Sequence, residues 1–263
     1  MITSLANEKV KLARSLHRRR GREKERLFIA EGVRLCEEVL RAGIIPAFLF
    51  YTPDVAAEER VARLLEAFAD LGKRGMAVSE EVMRAISDTQ TPQGVLAVVP
   101  ISERPPREGL LLIVDRLRDP GNLGTILRSA WAAGMGQVVT TKGTVDIYGP
   151  KVVRGAMGAH FHLSLAPDKE WKDIEPLLAE RQVLLADARG EVAYHEVDWS
   201  KPSALIIGGE AEGASEGAKR LAQKRVYIPM PGRAESLNAA VAASIMLFEA
   251  ARQRLSPPRA NRH

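Results

Sequence analysis

Three loops in this sequence hold residue types that could do chemistry, and each follows an apolar run. The first is Asp115-Arg116-Leu117-Arg118-Asp119-Pro120-Gly121-Asn122-Leu123-Gly124, with Arg128 a little further on. Pro120-Gly121 makes a tight turn, Asn122 can cap a helix, and Arg128 lies about one and two-thirds turns beyond it. Leu123, Ile126 and Leu127 form the apolar stripe, which leaves Arg128 on another face near the mouth of a site. The second loop is Gly208-Gly209-Glu210-Ala211-Glu212-Gly213. Glycine directly after a buried strand lets backbone approach a flat or bulky ligand. Acids there suit a nucleoside or a cationic group better than phosphate, and the spacing is not that of a phosphate-binding loop. The third is Ile228-Pro229-Met230-Pro231-Gly232-Arg233-Ala234-Glu235-Ser236-Leu237-Asn238. Its prolines and glycine force an irregular path, and Ser236 can cap the alanine-rich helix that follows. Taken singly, each loop is equally well an ordinary turn with a helix cap.

The elements around these loops alternate between strand and helix. Residues 110–115 are an apolar run closed by Asp115, of the kind that is buried on both faces of a parallel sheet. Further strands are expected near residues 137–140, 161–165, 183–187, 204–207 and 226–228, with helices at 121–133, 150–158, 171–180, 215–223 and 236–254. An earlier α/β pattern runs from an amphipathic basic helix ending near Gly21 to a strand at 95–99. Between the two patterns, Pro105-Pro106 marks an exposed linker. The division expected is residues 1–103, a linker at 104–109, a second domain at 110–255 and a basic tail at 256–263. In parallel sheets ligands sit where strands end and helices begin, which is where the three loops fall.

Composition narrows the setting. The 263 residues carry a net charge of +5, but residues 1–26 alone hold +6 and the tail from Ala250 holds +4, so residues 27–249 carry −5. Dense basic segments attract polyphosphate through counterion release; Lys9, Lys11, Arg18, Arg19, Arg20 and Arg22 are the candidate nucleic-acid contacts, although a solvated helix face would look similar. The single cysteine, Cys36, excludes an intrachain disulfide and a cysteine-rich zinc site, which suits the cytoplasm. No apolar run is long enough to span a membrane. His160, His162 and His195 lack metal-ligand spacing, and no metal is expected.

Taken in order, Asn122-x-Gly124-x-x-x-Arg128, Gly208-Gly209-Glu210-x-x-Gly213, and Ile228-Pro229-Met230 followed by Ser236-Leu237-Asn238 resemble the three signature motifs of the SpoU/TrmH family, RNA 2′-O-ribose methyltransferases of the SPOUT class. The stretches Ala6-Asn7-Glu8-Lys9-Val10-Lys11 and Phe28-Ile29-Ala30-Glu31-Gly32-Val33-Arg34 also resemble the substrate-binding domain joined to many members. The resemblance implies a mostly parallel catalytic sheet with a trefoil knot, preceded by a small L30e-like α/β domain. It further implies S-adenosylmethionine as cofactor, a homodimer in which first-motif residues complete the partner's site, and structured ribosomal RNA as substrate. Gly208, Gly209, Ile228, Met230, Leu237 and Asn238 would contact the cofactor, and Asn122, Arg128, Glu210, Ser236 and Asn238 would form the reaction centre. Ala211 and Ala156 depart from the residues common in the family at those positions.

In the family picture the motif-one arginine helps to deprotonate the ribose hydroxyl. A guanidinium, however, stays protonated and offers only donors. Gripping a substrate phosphate and orienting the ribose suits Arg128 better. The alternatives are a tRNA 2′-O-methyltransferase and a non-catalytic RNA-binding or ribosome assembly protein that keeps the fold; cofactor binding separates the latter.

Overall fold

The computed structural model describes residues 1–72, 75–210, 213–232 and 234–255, so the expected tail at 256–263, Ala211 and Glu212 lie outside the described residues. Two compact units emerge: Met1–Ser102 with Tyr148–His162, and Glu103–Ile147 with the described residues from Leu163 onward.

The first unit begins with α1 (Glu8–Ser15), whose entry is fixed by the Asn7 side chain accepting from the amides of Lys9 and Val10. Val10, Ala13 and Leu16 recur on one face and are fully buried. The basic helix expected to run to Gly21 is interrupted after Leu16, and α2 (Arg19–Glu25) follows as a separate turn. Then come β1 (Leu27–Glu31), α3 (Val33–Arg41), β2 (Phe48–Tyr51), α4 (Pro53–Ala56), α5 (Glu59–Asp70), β3 (Met76–Ala77), α6 (Glu80–Ile86) and β4 (Val95–Pro100). The sheet order is β1-β4-β2-β3, with β4 antiparallel to both neighbours and β2 parallel to β3. Val10, Leu16, Ile29, Phe50, Val82 and Leu96 form its core.

The second unit is built on β5 (Leu111–Asp115), which is buried throughout, as its unbroken apolar run requires. It continues through α7 (Pro120–Ala132) and β6 (Gln137–Thr141); after the excursion containing α8 (Pro150–Ala156) come β7 (Ser164–Lys169), α9 (Trp171–Ile174), β8 (Gln182–Ala186), β9 (Val192–Ala193), β10 (Ser203–Gly208), α10 (Glu216–Leu221), β11 (Lys224–Tyr227) and α11 (Ala239–Leu255). The strand order is β7-β6-β5-β10-β8-β11-β9, and every pairing among the described strands is parallel. Leu111, Ile113, Val139, Leu185, Ile206 and Ala218 fill one side of it.

Three local expectations are corrected. The helix expected at 171–180 is a single α-turn continued as a 3-10 turn over Glu175–Leu178, where Pro176 lacks the amide that an α-helix would use. The strand expected from residue 161 starts at Ser164, because Ala159–Phe161 form a 3-10 turn. Tyr148–His162 packs within the first unit and not within 110–255: the Phe28 ring lies 5.2 Å from that of Tyr148 and 5.9 Å from that of Phe161, and His162 Nε2 is 2.8 Å from Glu38 Oε1. The segment 104–109 is tied to the second unit, where Ser164 Oγ donates to the Arg104 carbonyl at 2.8 Å.

Candidate functional site

In the second unit a cavity of about 510 Å³ opens at the carboxyl ends of β8, β10 and β11. Ala186, Ile207 and Val226 bring strand ends to it, Ile228, Met230 and Leu237 form one side, and Ala242 and Met246 of α11 close another. The parallel order explains the location, since each strand delivers its loop to the same edge. A volume in this range, with mixed apolar and polar walls, is that of a small-molecule site.

Backbone of the same chain packs closely around the glycines of the second loop. A Cβ on Gly208 would stand 2.7 Å from the Ala214 nitrogen and 2.9 Å from the Gly213 carbonyl carbon, and one on Gly209 would stand 2.7 Å from the Arg116 carbonyl oxygen. Gly209 and Gly213 also form an antiparallel bridge. Any side chain at 208 would push this turn out of place. All six residues expected at a cofactor, Gly208, Gly209, Ile228, Met230, Leu237 and Asn238, line the cavity.

Glu210, Ser236 and Asn238 line it as well, and hydrogen bonds bring in Asn122. Asn238 Oδ1 accepts from the amides of Ala240 and Val241 at 2.9 and 3.2 Å, so its Nδ2 must face the other way. That nitrogen donates to Asn122 Oδ1 at 2.9 Å, which turns Asn122 Nδ2 toward Glu210 Oε1, to which it donates. The orientation of both amides is therefore dictated by the first turn of α11, and three loops far apart in sequence meet in one polar relay at the cavity mouth.

Two capping expectations change. Asp119, not Asn122, caps α7, its carboxylate accepting from the Asn122 amide at 2.7 Å, and this releases the Asn122 side chain for the relay. Asn238, not Ser236, caps α11, which starts at Ala239. Arg128 is exposed on α7 and is not among the lining residues, since six helical residues carry it about 9 Å along the axis from Asn122.

Sequence reasoning assigned no role to Asp115. It is fully buried at the end of β5, where Oδ1 accepts from Thr141 Oγ1 at 2.8 Å and Oδ2 from the Ser215 amide at 2.7 Å. Ser215 in turn caps α10 and accepts from Trp171 Nε1 at 3.1 Å. Asp115 thus anchors the far end of the glycine loop from beneath. The only signal in the sequence was a carboxylate closing a run of buried apolar residues. Asp187 and Tyr227 also line the cavity without having been singled out.

In the first unit, Lys11, Arg18 and Arg20 are exposed as expected. Lys9 lies 5.6 Å over the Phe48 ring, and Arg19 pairs with Glu23 at 2.7 Å. Arg22 is a correction: it is 4% exposed and its Nη1 donates to the Leu16 carbonyl at 2.5 Å, closing the end of α1, so it cannot reach a nucleic acid. Among the described residues no cluster of three or more His, Cys, Asp or Glu could hold a metal ion, and no helix is long and apolar enough to cross a membrane.

A parallel sheet with a cavity of this size at its carboxyl edge and an amide–carboxylate relay at the mouth defines an α/β domain with a small-molecule site. Comparison with known proteins is specific. Residues 109–248 match the SpoU rRNA methylase family, and residues 7–97 match the MRM3-like substrate binding domain. The chain belongs to the SpoU rRNA methylase family. It is 35% identical to the 23S rRNA (guanosine(2553)-2′-O)-methyltransferase RlmP of Bacillus subtilis, over 94% of this chain and 97% of that protein. To the human mitochondrial rRNA methyltransferase 3 it is 34% identical, over 88% of this chain and 69% of that protein. The AdoMet-bound rRNA methyltransferase of Sinorhizobium meliloti superposes with a TM-score of 0.82 at 36% identity, covering 97% of this chain and 98% of that one. The AdoMet complex of AviRb from Streptomyces viridochromogenes gives 0.84 at 28% identity, covering 95% and 99%.

Proposed function

We propose that this protein transfers a methyl group from S-adenosylmethionine to a ribose 2′-hydroxyl of large-subunit ribosomal RNA in the cytoplasm. The observation that carries the reading is the meeting of Asn122, Glu210 and Asn238 at the mouth of a cavity lined by Gly208, Ile228 and Leu237. The cofactor supplies a methyl group on a sulfonium that departs as a neutral thioether. The chain's part is mostly placement. Gly208 and Gly209 let backbone close on the ligand, Ile228, Met230 and Leu237 give it an apolar wall, and Glu210 and Asp187 put negative charge where a cation binds. The relay holds Asn122 and Asn238 beside Ser236, and the chemistry supplied by the bound cofactor would form the O–C bond as the S–C bond breaks, with the ribose proton leaving to solvent water.

Arg128 does not reach the cavity of its own chain, and Val241 and Phe248 of α11 are exposed at 46 and 51%, with Leu237, just ahead of the helix, at 38%. Val241 and Phe248 stand about two turns apart on the helix that packs against α7, where Ser129 Oγ and Ser244 Oγ are 2.7 Å apart. This supports a homodimer in which the second copy brings Arg128 to the cavity, there to grip an RNA phosphate and orient the ribose. The test is tritiated methyl transfer to unmodified large-subunit rRNA fragments and to tRNA, with mapping of alkali-resistant linkages. Label at a 2′-oxygen of rRNA is expected; label on tRNA alone or on a base would overturn the assignment.

A further inference from the structure

The first unit contains a buried carboxylate that the cavity does not need. Glu31, the last residue of β1, is only 9% exposed, and its three hydrogen bonds all come from one surface loop. Oε1 accepts from Ser87 Oγ at 2.5 Å and Thr89 Oγ1 at 2.7 Å, and Oε2 accepts from the Asp88 amide at 3.2 Å. The loop is tied further by the Thr89 amide donating to Ser87 Oγ at 3.0 Å, and by the Gly94 carbonyl accepting from the Thr52 amide at 2.9 Å. Burying a carboxylate costs free energy that its partners must offset, and what the arrangement yields is a stiff connection between α6 and β4. A connection alone has no use for that stiffness.

The tip of the loop is uncommitted. Gln90, Thr91 and Gln93 are exposed, and their side chains make no hydrogen bond among the described residues. Basic side chains touch the start of the loop. Arg154 Nη1 holds Asp88 Oδ2 at 2.9 Å, and His17 Nε2 lies 2.9 Å from the Ile86 carbonyl oxygen with Nδ1 4.0 Å from Asp88 Oδ1. Exposed Arg18 is the next residue along the chain from His17. On the other side the Gln93 carboxamide lies against Gly32, two residues before exposed Arg34. The large apolar residues exposed in this unit are Met1, Ile45 and Leu71, none of them in the loop, so no apolar anchor for a protein partner is present there.

The geometry points to the loop at 87–94, flanked by Arg18 and Arg34, as the surface that reads the RNA, with Glu31 as its positioning residue. Carboxamides and a hydroxyl carry both donors and acceptors, which suits unpaired base edges and ribose 2′-hydroxyls, while the arginines hold phosphate without regard to sequence. Pre-ordering the loop spares the complex the entropy of fixing it. The inference rests on the proposed RNA substrate and says where that substrate is read.

The test uses the full chain and an unmodified large-subunit rRNA transcript that the wild type binds, titrated by filter binding at several salt concentrations. The double variant Gln90→Ala/Gln93→Ala is expected to weaken binding by about tenfold or more with an unchanged salt slope. Arg18→Ala should lower the slope by about one, and Arg63→Ala on α5 should change nothing. Glu31→Gln should raise KM for RNA while leaving the affinity for S-adenosylmethionine unchanged, a split that a loss of folding alone would not give. Should Glu31→Gln fail to fold, the surface double variant still decides. Wild-type affinity in that double variant overturns the inference, whereas failure of the wild type to bind any rRNA transcript overturns the proposed substrate instead.

Discussion

Asp115→Ala tests whether the glycine loop is held from beneath. The carboxylate is fully buried and serves two donors, but only the bond from the Ser215 amide reaches the loop. Deleting the carboxylate leaves that amide with no acceptor, and a buried hydrogen bond to a charged group is worth about 1.5–3 kcal/mol. If that energy is what keeps Gly213 and Ala214 against Gly208 in the arrangement that binds the cofactor, the Kd for S-adenosylmethionine rises by about 10- to 150-fold, at about 1.36 kcal/mol per decade. Asp115→Asn retains one acceptor oxygen and can turn it to Ser215, so its effect should be well under that of alanine. Thermal stability is a poor guide, because removing a buried charge also removes its desolvation penalty. Isothermal titration calorimetry with the two variants is the assay. A folded Asp115→Ala protein whose Kd stays within about twofold of wild type would show that the carboxylate serves the core alone.

Gly208→Ala places a methyl 2.7 Å from backbone nitrogen that cannot yield cheaply, so overpacking of about 1–3 kcal/mol should appear as a weaker cofactor Kd in the same calorimeter. Arg128→Ala should abolish methyl transfer in the tritium assay and leave cofactor affinity nearly intact; normal turnover would remove Arg128 from the reaction. Arg22→Met should lower Tm in scanning calorimetry while preserving the salt slope of RNA binding, whereas Arg20→Ala should reduce that slope by about one and leave Tm unchanged. Burial pushes the Cys36 thiol up from 9.0 to about 12, so in the native protein it should resist a thiol-specific chromogenic reagent at pH 8 and react on unfolding. Because the folded value is the raised one, this neutral thiol stabilises the native state fully below the unfolded value, and the contribution fades as pH climbs through about 12; urea titrations at rising pH would reveal it.

Much of the site is legible in the amino-acid sequence because it depends on local rules. An unbroken apolar run at 110–114 announces a doubly buried strand, and glycines and prolines directly after such runs announce loops at the ligand edge of a parallel sheet. Those rules locate the three loops, and the resemblance of their motifs to the SpoU/TrmH family singles out Gly208, Ile228, Leu237 and Asn122 within them, but local rules rank helix caps poorly. Asp119, Asn122, Ser236 and Asn238 are all competent caps, and only the path of the chain decides that Asp119 and Asn238 take that work and leave Asn122 to bridge Glu210. Arg22 reads as one cation in a basic stretch; the break after Leu16 turns it inward to a bare carbonyl. The sequence by itself determined the two α/β patterns, the three loops and the family, since each follows from residue periodicity, turn chemistry or motif order. Tertiary structure alone decided that Tyr148–His162 covers Phe28, that Asp115 reaches Ser215 and that Glu31 stiffens the 87–94 loop. A buried carboxylate or an exposed ring acquires its meaning from whichever distant donor or apolar surface the folded chain brings against it, and separation along the sequence carries no record of that choice.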